Sequence, residues 1–210
     1  MPLREAQAPL RVVIVGAGGQ GRVVADALLA SPAPRLVPVA FVDDDRARSG
    51  TEWQGIGILG PIDALSEIPH DALVVAIGDN DTRARVTDEL VARGERLVTV
   101  QHPRAIVASE VQVGDGCMLS AGAVVTPGVR MGRGVLVNTR AVVDHDSLVG
   151  DFAHIAVGVS MGGAVVVGER ALIGVGAVVM PGRRVGARTI VGAGAVVVHD
   201  LPDDVVAIGA

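Results

Sequence analysis

The histidine with the most reactive setting in this sequence is His145, which lies between Asp144 and Asp146. A carboxylate hydrogen-bonded to one imidazole nitrogen fixes the tautomer and raises the basicity of the other nitrogen. Such a pair can take a proton from an attacking hydroxyl or amine, which is general base catalysis. The run therefore predicts a proton acceptor, and the alternative is a solvated polar face with no chemical role.

The other four histidines have weaker settings. We expect His70 to lie in a surface loop, and His199 to lie on the surface beyond the last repeat described below. His102 precedes a proline where the two halves of the chain meet, which favours a structural or supporting role. His154 is predicted to point outward from the same repeats as His145, so ligand binding and interface packing are both open for it.

A glycine-rich run, Gly16-Ala-Gly-Gly-Gln-Gly21, lies between a predicted strand (residues 11–15) and a predicted helix (residues 22–30). This G-x-G-x-x-G spacing lets backbone amides approach a pyrophosphate, and an acid after the second strand can hold a ribose. Asp43 and Asp44 follow the predicted second strand, residues 37–42. A nucleotide site is therefore predicted, with a tight turn that binds nothing as the alternative.

The rest of the first half alternates strands and helices. Strands are predicted over residues 73–77 and 97–100, and a helix over residues 81–93. Alternation of this kind predicts a small parallel sheet. We expect an α/β domain over residues 1–101 and a second domain over residues 102–210, with no flexible linker between them.

A six-residue repeat organises the second half. Every sixth residue from Val107 to Val191 is Val, Leu, Ile or Met, without a change of phase. Four positions after many of these lies a small residue, as at Cys117 and Ala123. This period matches neither an α-helix, at about 3.6 residues per turn, nor ordinary strand alternation. It predicts short strands and tight turns, repeated as the faces of a parallel β-helix.

With three faces per coil, residues eighteen apart should stack in ladders such as Val113, Met131, Val149, Val167 and Val185. One large and one small inward side chain per face fill a narrow triangular interior, which agrees with an aromatic content of only 1%. Cys117 should be buried and inert. Arg183 occupies a small inward position, so we expect its coil to be distorted or its face open.

The composition excludes several classes of protein. Half of the 210 residues are apolar and the net charge is −5, which excludes disorder. Lys does not occur, so Schiff-base and P-loop chemistry are impossible, and no basic cluster favours nucleic acid. One cysteine excludes an internal disulfide framework and a thiolate zinc cluster. No apolar run approaches a membrane span of about 20 residues, and residues 1–9 carry no secretory pattern. We expect a soluble, cytoplasmic protein that binds no membrane.

The whole chain resembles the sugar O- and N-acetyltransferases of the sialic-acid and bacillosamine type. The resemblance is carried by the repeats from Val107 to about Val197 and by residues 14–24, 41–44, 76–80, 102–103 and 143–154. It implies a Rossmann-like N-terminal domain, a left-handed parallel β-helix, a homotrimer, and acetyl-CoA bound in the cleft between two subunits. Because no long loop interrupts the repeats, the site must be assembled from flat faces, which also favours a cleft between subunits.

The resemblance also implies roles for particular residues. His145 would be the general base, and Asp146 the acid that enhances it. Acetyl-CoA would contact His154, Gly163, Val175 and Ala193. The acceptor phosphate or base would meet Gly18, Gly19 and Gln20, and uridine would lie near Asp43 and Asp44. Many relatives have His where this chain has Gln20, so the contact there can differ.

The function implied is N-acetylation of a UDP-linked amino sugar by direct attack on acetyl-CoA, without a metal or an acyl-enzyme. O-acetylation of the sialic-acid type and a non-catalytic trimer that binds nucleotide sugars are the alternatives. A zinc hydratase similar to the γ-type carbonic anhydrases lacks a third histidine on the predicted prism. An NAD oxidoreductase is disfavoured, because the first half has about half the length of a full dinucleotide fold.

Overall fold

The run at residues 11–15 is apolar on both faces after its first residue, which suits a central strand of a covered parallel sheet. The computed structural model describes residues 8–32 and 35–209. Its N-terminal elements are the strands β1 (Leu10–Val15), β2 (Leu36–Val42), β3 (Glu52–Trp53), β4 (Ile56–Gly57) and β5 (Ala72–Val75), the helices α1 (Gly19–Leu29) and α2 (Asn80–Ala92), and 3-10 turns over Arg46–Arg48 and Ile62–Glu67. Residues 1–7, which belong to the segment predicted to carry no secretory pattern, lie outside the described residues.

In the described residues the small parallel sheet has the order β2-β1-β5. Its three strands and both helices were predicted, with ends that differ by at most three residues. The predicted fourth strand over residues 97–100 is wrong. Leu97 forms a single bridge to Leu73, and Val100 instead begins a strand of the β-helix. The chain changes partner because its backbone pairs with Cys117 and Leu119 of the first coil.

From Val100 onward, every strand in the described residues is two residues long. The strands are β6 (Val100–Gln101), β7 (Ile106–Val107), β8 (Gln112–Val113), β9 (Met118–Leu119), β10 (Val124–Val125), β11 (Arg130–Met131), β12 (Leu136–Val137), β13 (Val142–Val143), β14 (Leu148–Val149), β15 (His154–Ile155), β16 (Ser160–Met161), β17 (Val166–Val167), β18 (Leu172–Ile173), β19 (Val178–Val179), β20 (Arg184–Val185), β21 (Ile190–Val191), β22 (Val196–Val197) and β23 (Val206–Ala207).

These strands pair in parallel into three long sheets. Sheet I contains β7, β10, β13, β16, β19 and β22; sheet II contains β8, β11, β14, β17 and β20; sheet III contains β6, β9, β12, β15, β18, β21 and β23. Each coil crosses from sheet I to II to III, so the chain turns three corners per coil. The predicted fold class, a parallel β-helix after a small parallel α/β sheet, is confirmed.

The second residue of the repeat strands points inward. The ladder Val113, Met131, Val149, Val167 and Val185 is in the predicted register. Its last four members are buried, and Val113 packs against them. Cys117 is fully buried, as predicted, and donates from Sγ to the carbonyl of Gly132 at 3.1 Å.

The coil after Arg183 departs from the repeat. Elsewhere paired residues are eighteen apart, but Ile190 pairs with Val206, sixteen residues later, and Val185 bridges to Leu201. The Arg183 side chain, 38% exposed, turns out of the prism and places Nη1 3.7 Å from Oδ1 of Asp200. The predicted irregularity is therefore present, in the segment that covers Arg183.

The two parts of the chain pack on each other through sheet III. Met118 and Leu136, on the outer side of this sheet, belong to the same buried apolar cluster as Val24 and Leu28 of α1. Within residues 8–32 and 35–209, neither helix has both the length and the apolar character needed to cross a membrane.

Candidate functional site

His145 lies on an open corner of the β-helix, between sheet I and sheet II. Its Nδ1 donates to Oδ2 of Asp146 at 3.0 Å, and its backbone N–H donates to Oδ1 of Asp144 at 2.9 Å. The hydroxyl of Thr126, from the preceding coil, donates to the same Asp144 oxygen at 2.9 Å. The His145 side chain is 60% exposed. The predicted Asp-His pair is therefore formed, with the ring's second nitrogen, Nε2, left to act on a ligand.

Two glycines in the neighbouring coils make room for this pair. A Cβ on Gly163, eighteen residues after His145, would overlap Nε2 and Cε1 of the imidazole. A Cβ on Gly128, eighteen residues before Asp146, would overlap Oδ1 of that carboxylate. The corner also bends sharply, because Asp146 has a φ of 58° and donates its N–H to the carbonyl of Pro127. Because glycine has no side chain, the carboxylate and the ring can pack directly against the backbone of the neighbouring coils.

The charges at this corner favour the protonated imidazole. The hydrogen bond to Asp146 is the main cause that raises the pKa of His145 above its ordinary 6.5, and the charge of Asp144 adds to it. The pKa of Asp144 is lowered, first by its backbone hydrogen bond from His145 and then by Thr126. A ring held in one tautomer beside a carboxylate is a better proton acceptor than an isolated histidine.

His154 has the opposite environment. It lies on β15 in sheet III, with Nε2 3.2 Å from Nδ2 of Asn138. Burial, followed by the charge of Arg83, lowers its pKa to about 4, and a backbone contact with Gly78 opposes this shift. At pH 7 the His154 imidazole is therefore uncharged, so it can hydrogen-bond a ligand but carries no second ring proton.

The glycine loop and the acids after β2 surround one cavity of about 500 Å³, here called the N-terminal cavity. The five residues predicted for acceptor binding, Gly18, Gly19, Gln20, Asp43 and Asp44, all line it. Ile77 and Gly78 form another part of its wall. Because Gly78 also contacts His154, the cavity and sheet III adjoin.

The two acids shape this cavity through backbone contacts. Asp43 accepts from the N–H of Ala17 at 2.7 Å and from the N–H of Asp45 at 2.9 Å. Asp44 accepts from the N–H of Ile62 at 2.9 Å. Each carboxylate thus fixes a loop at the cavity's edge, a role that the sequence analysis did not anticipate. Gln20 points towards the β-helix, with Nε2 4.0 Å from Sδ of Met118.

A second cavity, of about 300 Å³, shares Gly18, Gly19 and Arg48 with the first. Trp53 and Arg22 also line it. Sequence reasoning missed Arg48 and Trp53 because they lie in the irregular segment between β2 and β5, where the glycine motif and the repeats give no signal.

The residues predicted to hold acetyl-CoA do not all meet within one chain. Gly163 adjoins His145 on the corner between sheets I and II. Val175 and Ala193 lie on the corner between sheets III and I, stacked through a backbone hydrogen bond from Gly194 to Val175 at 2.8 Å, and both are exposed. His154 lies on sheet III itself. Within one chain, the residues predicted to bind acetyl-CoA therefore lie on two corners and one face of the β-helix.

The remaining candidates have structural settings. His70 lies in a loop, as predicted, but the expected exposure is wrong, since its side chain is only 11% exposed and its Nε2 lies 2.9 Å from Oε2 of Glu95. His102 is buried and accepts from the N–H of Arg104, as its expected structural role requires. His199 is exposed, as predicted.

Burial raises the pKa of Cys117 to about 12, so this thiol is not a nucleophile. In the part of the chain that the structure describes, no three His, Cys, Asp or Glu side chains are grouped to hold a metal.

Comparison with known proteins gives matches over both halves. A family model described as the PglD N-terminal domain matches residues 11–90. The curated UDP-N-acetylbacillosamine N-acetyltransferase of Bacillus subtilis is 36% identical over 117 residues, which are 52% of this chain and 51% of that protein. The chain therefore spans about half the length of this curated relative.

Solved structures match nearly the whole chain. PerB from Caulobacter crescentus, in complex with CoA and GDP-perosamine, is 41% identical over 97% of this chain and 95% of its own, with a TM-score of 0.87. The acetyltransferase domain of PglB from Neisseria gonorrhoeae, in complex with acetyl coenzyme A, is 34% identical over 95% and 96%, with a TM-score of 0.86. Structures of the Caulobacter perosamine N-acetyltransferase also include variants in which one histidine is replaced by Asn or by Ala.

Proposed function

This chain belongs to the sugar acetyltransferase family of the sialic-acid and bacillosamine type, and from that membership we propose that it transfers an acetyl group from acetyl-CoA to the amine of a nucleotide-linked sugar. The observation that carries the proposal is the 3.0 Å hydrogen bond from Nδ1 of His145 to Asp146, on an open corner of the β-helix. Relatives support the substrates, since PerB is in complex with CoA and GDP-perosamine, and the Bacillus relative is named for a UDP-linked sugar.

In the proposed reaction the neutral amine nitrogen attacks the thioester carbonyl carbon. A C–N bond forms, the C–S bond breaks, and CoA leaves as a thiolate. His145 takes the amine proton on Nε2, and the imidazolium that results is stabilised by Asp146 and Asp144. The product is an amide, and the proton finally goes to the CoA thiolate. Cys117 takes no part, because a buried thiol with a pKa of about 12 forms no acyl-enzyme at neutral pH.

The N-terminal cavity is the proposed binding site of the nucleotide. The backbone of Gly18 and Gly19 at the start of α1 would meet the diphosphate, with Gln20 nearby. Asp43 and Asp44, which fix the loops beside it, would lie near the nucleoside. The contact between Gly78 and His154 supports this arrangement, because it brings the cavity next to the proposed acetyl site.

The separation of the donor residues supports a homotrimer with the active site between copies. A ligand that touched Gly163 and also Val175 or Ala193 in one prism would have to cross the full width of sheet I. In a trimer of parallel prisms, different corners of neighbouring copies come together. His154 and the exposed Val175 and Ala193 are then the proposed contacts with the donor.

A thiol-release assay with acetyl-CoA tests the function. UDP-linked and GDP-linked amino sugars are compared with the same sugars without the nucleotide, and with analogues that carry a hydroxyl in place of the amine. We expect thiol release that requires both the nucleotide and the amine. Release with the hydroxyl analogue alone would instead establish O-acetylation, and no release with any sugar would overturn the proposal. Analytical ultracentrifugation of the same sample checks for a trimer.

A further inference from the structure

A fully buried arginine lies between the N-terminal cavity and the β-helix. Arg83, on α2, has no exposed surface, and each of its five guanidinium N–H groups has an acceptor. The acceptors are all uncharged: the carbonyl oxygens of Gly134 (3.0 Å), Ile77 (2.9 Å), Gly78 (3.2 Å) and Phe152 (2.7 Å), and Oδ1 of Asn80 (2.9 Å).

Burying a cation is costly unless hydrogen bonds replace its hydration. Here burial lowers the pKa of Arg83 to about 10, which leaves the guanidinium charged at neutral pH. A methionine of similar length would avoid the cost of burying the charge if the position served only for packing. A guanidinium is rigid and planar and supplies five donors, whereas lysine supplies three from a flexible stem. The position therefore uses what only arginine provides, a fixed geometry among five acceptors.

These acceptors belong to two different parts of the proposed site. Ile77 and Gly78 form the wall of the N-terminal cavity. Phe152 lies two residues before His154, and its ring occupies the space where a Cβ of Gly134 would be. Asn80 extends the same network, since its Nδ2 donates to the carbonyl oxygens of Arg170 and Ala171 in the next coil.

We propose that Arg83 is a positioning residue that holds the wall of the N-terminal cavity at a fixed distance from His154, so that the acceptor amine reaches the acetyl group. This inference rests on the proposed function. It assigns the coupling of the acceptor and donor parts of the site to one side chain that touches neither substrate.

The test separates positioning from binding. In Arg83→Met and Arg83→Lys we expect kcat to fall at least tenfold, while the Kd for CoA and for the nucleotide diphosphate, each measured alone by calorimetry, changes less than threefold. Arg93→Met is the matched control, because Arg93 is the C-cap of the same helix and pairs with the exposed Asp63. It should keep the wild-type kcat.

Either of two results would overturn the inference. One is a folded Arg83→Met protein with kcat within twofold of wild type. The other is a loss of activity that appears entirely in the nucleotide Kd, which would mean that Arg83 only maintains the cavity. If Arg83→Met fails to fold, Asn80→Ala removes one acceptor and the link to the next coil, and the same split between kcat and Kd is expected. Failure of the proposed function is distinguishable, since the wild-type protein would then release no thiol.

Discussion

The imidazole of His145 lies against Gly163 of the next coil, so closely that a single added methyl group would overlap Nε2. The two residues are eighteen positions apart, the length of one coil, and the carbonyl of His145 accepts from the N–H of Ala164 at 2.7 Å. The position of the proposed base is therefore set by the coil above it as well as by its acidic neighbours.

Gly163→Ala should displace this ring. Because catalysis depends on alignment to within about 1 Å, we expect kcat to fall roughly ten- to a hundredfold. Steady-state kinetics measures the loss. In a double-mutant cycle with His145→Ala, the alanine at 163 should cause no further loss of stability, since the methyl group then fills the space left by the ring. Full activity in Gly163→Ala would contradict the proposed geometry.

His145→Ala should remove the proton acceptor without disturbing the fold, because the side chain is mostly exposed. General base catalysis contributes about 10²–10⁴ in rate, so a loss of that size is expected in the thiol-release assay. His199→Ala is the control, since His199 is also exposed but lies beyond the repeats. Near-normal turnover of His145→Ala in an intact oligomer would remove the assignment.

Asp146→Asn should shift the pH dependence of activity. A general base acts when deprotonated, so activity should rise with pH through the pKa of His145, which Asp146 raises above 6.5. Asparagine keeps an acceptor for Nδ1 but removes the charge, so the midpoint should move to lower pH. Asp144→Asn should move it in the same direction by less, because its charge is the second cause of the shift. Profiles of kcat/KM against pH for both variants check that the midpoint shifts more in Asp146→Asn than in Asp144→Asn. An unchanged midpoint in Asp146→Asn would contradict the prediction.

His154 should make the protein less stable in acid. Its pKa is about 4 in the folded chain and 6.5 ordinarily. As pH falls through 6.5, the unfolded chain takes up a proton that the folded chain does not, so the free energy of unfolding falls between about pH 7 and pH 4. His154→Asn should lose this part of the dependence. Urea unfolding of both proteins at pH 7 and pH 5 measures the difference. His70, whose raised pKa acts in the opposite direction, is the same in both. If the free energy of unfolding depends on pH equally in both proteins, burial does not lower the pKa of His154.

The sequence by itself determined the β-helix, because each coil of six-residue units repeats the same local requirement for one large inward residue and a tight turn. Met131 and Val149 could be paired from their spacing alone, and the misfit at Arg183 predicted an irregular coil. The glycine spacing and the acids after the second strand likewise predicted a binding site at the place where the N-terminal cavity lies. These inferences succeeded because they depend on periodicity and on local backbone geometry.

Only the tertiary structure decided which distant groups meet. The sequence places Arg83 in an ordinary helix, and its role depends on carbonyl groups of Gly134 and Phe152 that no side-chain pattern records. The strand predicted at residues 97–100 failed for the same reason, since its backbone hydrogen-bonds to Leu73 only as far as Val98 and pairs with the first coil of the β-helix from Val100 onward. Backbone acceptors are the same in every residue type, so contacts made through them leave no trace in the sequence and appear only when the chain is folded.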